Sequence, residues 1–236
     1  MCKRKEHEAV RHVSRFAAAF SAFASASRLV SSRALDLLLA TGNDGKVQEL
    51  RALLADLPLH LRTRSAFPDA PEVVEDRGTL EGNARKKAET LAAFADLPAL
   101  ADDTGLEVDA LGGRPGVRTA RFAGPEATGT DNRRALLAAL DDEYERAAQF
   151  RTVVALAAPG DGAKRCVEGV CRGHVTREER GEAGFGYDAV FVPEGQPESR
   201  AQTFAEMRPE AKNALSHRRR ALDRMRAHLE RKVEGE

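Results

Sequence analysis

Two adjacent aspartates, Asp102 and Asp103, follow an apolar lead-in of Leu97, Ala99, Leu100 and Ala101 and precede Thr104-Gly105. No other stretch restricts the fold as much. Neighbouring carboxylates repel unless a cation or a shared proton offsets their charge, so the pair belongs either in open solvent or in a built site. The apolar lead-in and the turn-forming Thr-Gly predict a short buried strand that ends at the pair, which is where α/β proteins place their chemistry. A hard divalent cation with oxygen ligands is a common solution for such a pair. An exposed acidic turn is the plainer one, and the pair alone does not choose between them.

Composition narrows the partners. The 236 residues carry 37 lysines and arginines against 37 aspartates and glutamates, a formal net charge of zero, so no electrostatic footprint argues for a nucleic acid or a membrane surface as partner. Cys2, Cys166 and Cys171 are an odd number without metal-ligand spacing, which predicts reduced thiols and a cytoplasmic location. No apolar run approaches the roughly 20 residues that span a bilayer. Residues 1–33 are basic and rich in alanine and serine, with Phe16, Phe20 and Phe23 at near-helical spacing. They read as a poorly ordered or weakly helical extension. A targeting segment is the alternative, against which Glu6 and Glu8 count.

The body of the chain alternates strand and helix signals. Ala34 to Ala40 is an apolar run of strand length, followed by Thr41-Gly42-Asn43-Asp44-Gly45-Lys46 and then a helical stripe of Val47, Leu50, Leu53 and Leu54. Strand, glycine loop and helix in that order aim backbone amides and a positive helix end at an anion, and Lys46 adds a point charge there. The spacing matches neither the P-loop nor the dinucleotide fingerprint, so a tight turn remains open as the simpler reading. Leu59 to Phe67 predicts a second strand. Thr79 predicts the cap of a helix over Leu80 to Ala95, with Lys86 and Lys87 near its start. A helix is expected over Asp131 to Arg146, and two strands, Thr152 to Ala158 and Cys166 to Thr176, around the turn at Pro159 to Gly162. Glycines flank Phe185, an arrangement that either exposes an aromatic face to a flat ligand or forms a glycine-rich turn feeding an edge strand. One helix from about Glu210 carries Lys212, His217 and Arg218, and a charged tail is expected over 231–236 beyond a catalytic domain of 34–230.

Taken together these stretches resemble the inosine triphosphate pyrophosphatase family. The resemblance rests on Ala40-Thr41-Gly42-Asn43-x-Gly45-Lys46, on Glu75 with Gly82-Asn83-Ala84-x-x-Lys87-Ala88, and on Asp102 to Leu106 continued by Pro115-Gly116-Val117 and Ala120-Arg121. Gly184-Phe185-Gly186-Tyr187-Asp188 and Ala205-Glu206-Met207 with Lys212-Asn213 and Ser216-His217-Arg218 complete it. The motifs stand in the family's order and cover about Leu35 to Leu222. Thr104 replaces a serine with the hydroxyl kept, Arg118 a tyrosine, Ala189 a proline and Ala211 a glutamate.

The resemblance implies an α/β fold with a long mixed sheet, flanking helices and two lobes around a central cleft. It implies hydrolysis of ITP, dITP or XTP to the monophosphate and pyrophosphate, with Mg²⁺ as cofactor and a homodimer as assembly. By the same resemblance Thr41, Gly42, Asn43, Asp44, Gly45 and Lys46 cradle the triphosphate and Lys87 joins them. Glu75 and the aspartate pair hold the metal, Asp103 activates the water, and Asp102 and Lys46 belong to the catalytic group with it. Thr104 keeps the hydroxyl beside them. Phe185, Gly186, Tyr187 and Asp188 receive the base, and Lys212, His217 and Arg218 read its 6-oxo edge. A pyrophosphatase for other modified nucleotides and a non-catalytic purine-nucleotide sensor are the alternatives.

Overall fold

The computed structural model describes residues 34–160, 162–197, 199 and 201–234; the extension over 1–33 lies outside them. Its frame is a seven-stranded mixed sheet of β1 (Leu35–Leu39), β2 (Leu59–Thr63), β3 (Ala99–Val108), β4 (Pro115–Gly116), β5 (Ala147–Ala158), β6 (Gly162–Val175) and β7 (Phe191–Pro193). The order is β2-β1-β3-β5-β6-β7, with β4 attached to β3. β2, β1 and β3 run parallel, and β3, β5, β6 and β7 alternate in direction. Helices α1 (Asp44–Leu53), α2 (Leu80–Ala95), α3 (Gly129–Ala139), α4 (Pro209–Leu215) and α5 (His217–Glu234) accompany it. This is the α/β class with a long mixed sheet and flanking helices that the resemblance implies.

Strand alternation sorts the core. Leu37, Leu39 and Leu100 face α1 and α5, packing with Leu50, Leu222 and Met225. Leu38, Ala99 and Ala101 face α2, where Ala84, Ala88 and Leu91 form a narrow stripe. β1 is therefore buried on both faces, as a central parallel strand must be. A third cluster gathers Leu106, Phe150, Phe191 and Phe204 at the antiparallel end. The two lobes meet at the middle of β3.

There the sheet has a gap. β1 pairs with β3 only at Ala99 and Leu100, and β4 only at Leu106 and Glu107, whereas β5 pairs along the whole opposite edge. Backbone groups left between must find other partners. The Asp102 carbonyl accepts from Lys87 Nζ at 2.7 Å, and the Thr104 N–H donates to Asp103 Oδ1 at 3.1 Å. Side chains of the site thus take the place of a neighbouring strand.

Several expectations are corrected. The aspartate pair lies in the interior of a ten-residue strand, and Thr104-Gly105 is no turn: a Cβ on Gly105 would fall 2.8 Å from the Gly116 carbonyl oxygen, so the close approach of β4 requires the glycine. The helix expected over Asp131 to Arg146 is α3, capped by Thr128 and Asp131 in a reciprocal capping box. It stops early because Arg146 turns back to donate to the Leu140 carbonyl, then feeds β5. Lys87 sits mid-way along α2 rather than near its start, and β2 ends at Thr63. The C-terminal helix is broken at Ser216, which is extended (φ −68°, ψ 148°), and Ser216 Oγ accepts from the Arg219 N–H at 3.1 Å as the cap of a new helix. His217 and Arg218 therefore open α5, and that helix runs to Glu234. Its first turn seats on bare backbone, since a Cβ on Gly169 would fall 2.1 Å from the His217 carbonyl oxygen.

Candidate active site

A cavity of about 640 Å³ opens at the gap in β3. It lies beyond the C-terminal ends of β1 and β2, the crevice where open α/β sheets bind ligands. Of the residues singled out in the sequence, Thr41, Gly42, Asn43, Lys46, Glu75, Lys87, Asp103 and Thr104 line it, as do Phe185 to Asp188, Lys212, His217 and Arg218. Asp44 and Gly45 lie in the first turn of α1 outside the lining, and Asp102 lies behind it.

The loop after β1 is shaped by its own side chains. Thr41 Oγ1 accepts from the Asn43 N–H at 3.2 Å, and Asn43 Oδ1 accepts from the Lys46 N–H at 3.0 Å as the cap of α1. Lys46 Nζ stands 3.2 Å from Asp102 Oδ2.

Because alternate residues of a strand point to opposite faces, Asp102 and Asp103 part company. Asp102, 1 % exposed, turns toward α1 and α5. Its Oδ2 receives Arg218 Nε at 3.1 Å and Nη2 at 3.0 Å besides Lys46. Burial would raise its pKa, but Lys46, Arg218 and Lys87 outweigh burial and hold the carboxyl well below the usual range. Asp103 turns toward α2, where Asn83 Nδ2 donates to its Oδ2 at 3.1 Å and Lys87 Nζ lies 3.5 Å from its Oδ1. Burial, reinforced by Glu75, raises this carboxyl despite Lys87. Environments that push two neighbouring carboxyls apart mark different duties.

A metal shared by both aspartates is not what this alternation favours; Glu75 with Asp103 is. Glu75 Oε1 lies 2.7 Å from the same Lys87 ammonium, so two carboxylates converge on one point at the cavity wall. Among the described residues no group of three or more His, Cys, Asp or Glu side chains converges for metal binding. Two carboxylates fit Mg²⁺, which keeps waters and takes further oxygens from a substrate's phosphates.

The far end of the cavity is a second ion-pair cluster. Lys212 Nζ donates to Asp188 Oδ2 at 2.7 Å and to Glu49 Oε1 at 2.5 Å, and Glu49 also pairs with Arg218 Nη1. Burial opposes the charge on Lys212, but Asp188 and Glu49 raise its pKa. Lys212 Nζ lies 5.0 Å from the Phe185 ring centroid, and Asp188 Oδ2 also accepts from the Phe185 N–H at 2.8 Å. The Tyr187 hydroxyl donates to the Thr119 carbonyl at 3.0 Å. His217 stacks on Phe150, with centroids 4.8 Å apart. Its Nδ1 meets Thr152 Oγ1 at 2.6 Å, Thr152 Oγ1 meets Thr104 Oγ1 at 2.6 Å, and Thr104 Oγ1 donates to Asp102 Oδ2 at 3.3 Å. Burial, then Arg218, pushes the His217 pKa well below its ordinary value.

Glu49 and Thr152 escaped the sequence reading. Glu49 stands one helical turn from Lys46, but its partners lie more than 160 residues away. Thr152 stands in an apolar strand with no motif around it. Asn83 and Arg121 belong to the motifs with no role legible from them; Asn83 orients Asp103, and Arg121 Nη2 donates to the Glu75 carbonyl at 3.0 Å.

The fold and the site define an α/β protein whose cations and carboxylates surround a cleft at the ends of parallel strands, suited to a polyanion beside a flat ring. The chain belongs to the Ham1 family, whose model matches residues 37–228. It is 46% identical over 195 residues to the dITP/XTP pyrophosphatase of Geobacter sulfurreducens, covering 82% of this chain and 96% of that one. It is 48% identical over 190 residues to the dITP/XTP pyrophosphatase of Streptomyces avermitilis, covering 79% and 92%. Among solved structures, a HAM1 protein from Coxiella burnetii matches with a TM-score of 0.73 at 38% identity, covering 83% of this chain and 98% of that one. The motif resemblance and these relatives agree.

Proposed function

We propose that the protein is a Mg²⁺-dependent hydrolase that cleaves ITP, dITP and XTP between the α and β phosphates, releasing the monophosphate and pyrophosphate and so clearing noncanonical purines from the nucleotide pool. The names of the relatives in Geobacter and Streptomyces support the substrate class. The observation that carries the reading to this chain is the divided pair: Asp103 faces the cavity with Glu75 and Lys87, while Asp102 is locked to cations behind it.

Asp103, oriented by Asn83 and by the Thr104 N–H, takes the proton of the attacking water, a role for which a carboxyl raised by burial is suited. Glu75 and Asp103 would hold Mg²⁺, which when bound neutralises phosphate charge and acidifies water. Lys46 and Lys87 stabilise the charge that builds on the departing pyrophosphate. Phe185 offers its ring to the base, and Lys212 and Arg218 present donors to the 6-oxo group. A 6-amino purine would set donor against donor and leave buried groups unpaired, which is how a polar site rejects an analogue. The reading includes a homodimer in the cytoplasm, supported by the family resemblance and the reduced cysteines.

Pyrophosphate release measured across ITP, XTP, dITP, GTP and ATP, with Mg²⁺ and with EDTA, tests the reading. Turnover of the first three that EDTA abolishes and Mg²⁺ restores is expected. Tight ITP binding without turnover would point to a sensor instead, and preference for ATP would overturn the assigned base readers. Light scattering after size exclusion checks the dimer.

A further inference from the structure

We infer that Arg64 grips the phosphate farthest from the base and makes the protein prefer nucleoside triphosphates to diphosphates, an inference that rests on the function proposed above. Arg64 follows the C-terminal end of β2 and lines the cavity beside Thr41 and Gly42.

Five cations line that cavity: Lys46, Arg64, Lys87, Lys212 and Arg218. Four are already paired with carboxylates, Lys46 with Asp102, Lys87 with Glu75 and Asp103, Lys212 with Glu49 and Asp188, and Arg218 with Asp102 and Glu49. Among the described residues, no carboxylate lies within ion-pair distance of Arg64. Its hydrogen bond runs from Nη2 to the Ala70 carbonyl at 3.2 Å. One carbonyl thus fixes a half-buried guanidinium while its other N–H groups and its charge remain unspent. A planar fork held in this way fits a phosphate, which can take two parallel hydrogen bonds from it. The paired cations give orientation; Arg64 adds a charge that no described carboxylate pairs.

The glycine loop sets which phosphate it meets. A Cβ built on Gly45 would fall 2.5 Å from the Phe185 ring, whereas one built on Gly42 would stand 3.8 Å from Arg64 Nη1. The loop therefore carries the aromatic ring at its helix end and the guanidinium at its strand end. Sheet order agrees: Phe185 precedes β7 at one edge, and Arg64 follows β2 at the other. A nucleotide whose base lies on Phe185 and whose phosphates follow the loop extends its terminal phosphate toward Arg64. A diphosphate ends short of it.

The test compares wild type, Arg64→Ala and Arg64→Lys by kcat/KM for dITP and dIDP, by inhibition with pyrophosphate and with dIMP, and by thermal melting. Arg64→Ala is expected to lower kcat/KM for dITP about tenfold or more, the worth of a hydrogen bond between charged groups, and to weaken pyrophosphate inhibition by a similar factor. Turnover of dIDP, dIMP inhibition and Tm stay at wild-type values, and Arg64→Lys falls between. Equal losses for dITP and dIDP, or weaker dIMP inhibition, would mean that Arg64 only ties down the Ala70 loop, and no change at all would also overturn the inference. If wild type turns over neither nucleotide, the proposed function fails. Calorimetry with Mg²⁺ and inorganic pyrophosphate then decides Arg64 separately: tighter binding to wild type than to Arg64→Ala supports it, and equal binding refutes it.

Discussion

On one side of β3, Asp102 lies beneath α1 and α5 with Lys46 and Arg218 on a single oxygen; on the other, Asp103 lies under α2 with Asn83 and Lys87 and looks across to Glu75. The residues are chemically identical and adjacent. Their surroundings differ because a strand sends neighbours to opposite faces, and because the gap between β1 and β4 leaves both side chains without a covering strand. The fold thus ties one carboxylate to Lys46 and Arg218 and leaves the other facing the cavity.

Asp103→Asn should separate the two sides most sharply. It keeps the shape and a partner for Asn83 but removes the base, so kcat for dITP should fall by about 10²-fold or more with Tm nearly unchanged. Steady-state kinetics alongside thermal melting would reveal it, and near-normal turnover would end the assignment of the base. Asp102→Asn should show the converse weighting, since it removes the counter-charge of half-buried Lys46 and one of the two carboxylates that hold buried Arg218. A stability loss of roughly 3 kcal/mol is expected from urea unfolding, and if stability held while activity vanished, the counter-ion role would be wrong.

Thr152→Val probes the link between the Asp102 side and the residues proposed to read the base. It preserves volume but leaves Thr104 Oγ1 and His217 Nδ1 without their shared partner, a cost of about 1–2 kcal/mol. The ratio of kcat/KM for dITP over dATP should fall with it; an unchanged ratio would detach His217 from base reading. The smallest effect concerns pH. Burial keeps His217 neutral in the folded state well below its ordinary pKa of 6.5, so as pH falls through that value the unfolded chain takes a proton that the folded one refuses. Stability should therefore be full above pH 6.5 and decline below it, by at most about 1.4 kcal/mol per pH unit from this group. His217→Asn should flatten that part of the denaturation profile, and an unaltered slope would assign it to other groups.

Much of the frame was legible. A strand within Ala34 to Ala40, Thr79 as the cap of Leu80–Ala95 and a close pairing of the two strands around Pro159 to Gly162 follow from local patterning, capping and turn chemistry, and the structure has β1 at Leu35–Leu39, the cap, and Ala158 paired with Gly162. The helix end at Ala139 and the break at Ser216 did not announce themselves. Arg146 closes α3 through carbonyls that include those of Val175 and Thr176, about thirty residues on, and the serine in Ser216-His217-Arg218 reads as a cap only once α5 is seen to begin there. Within the site, Lys46, Lys87 and Phe185 stand in short recognisable motifs, whereas Glu49 and Thr152 act through partners far along the chain.

The sequence by itself determined which residues carry charge, which segments are apolar and where the glycines fall, because these depend on neighbours a few residues away. It brought Asp102 and Asp103 forward as a pair. Only the tertiary structure decided that they are not one site but two, since the face each takes depends on the length of β3 and the gap at its edge. That gap is set by β1 and β4, segments separated in sequence that meet β3 only when the sheet has formed.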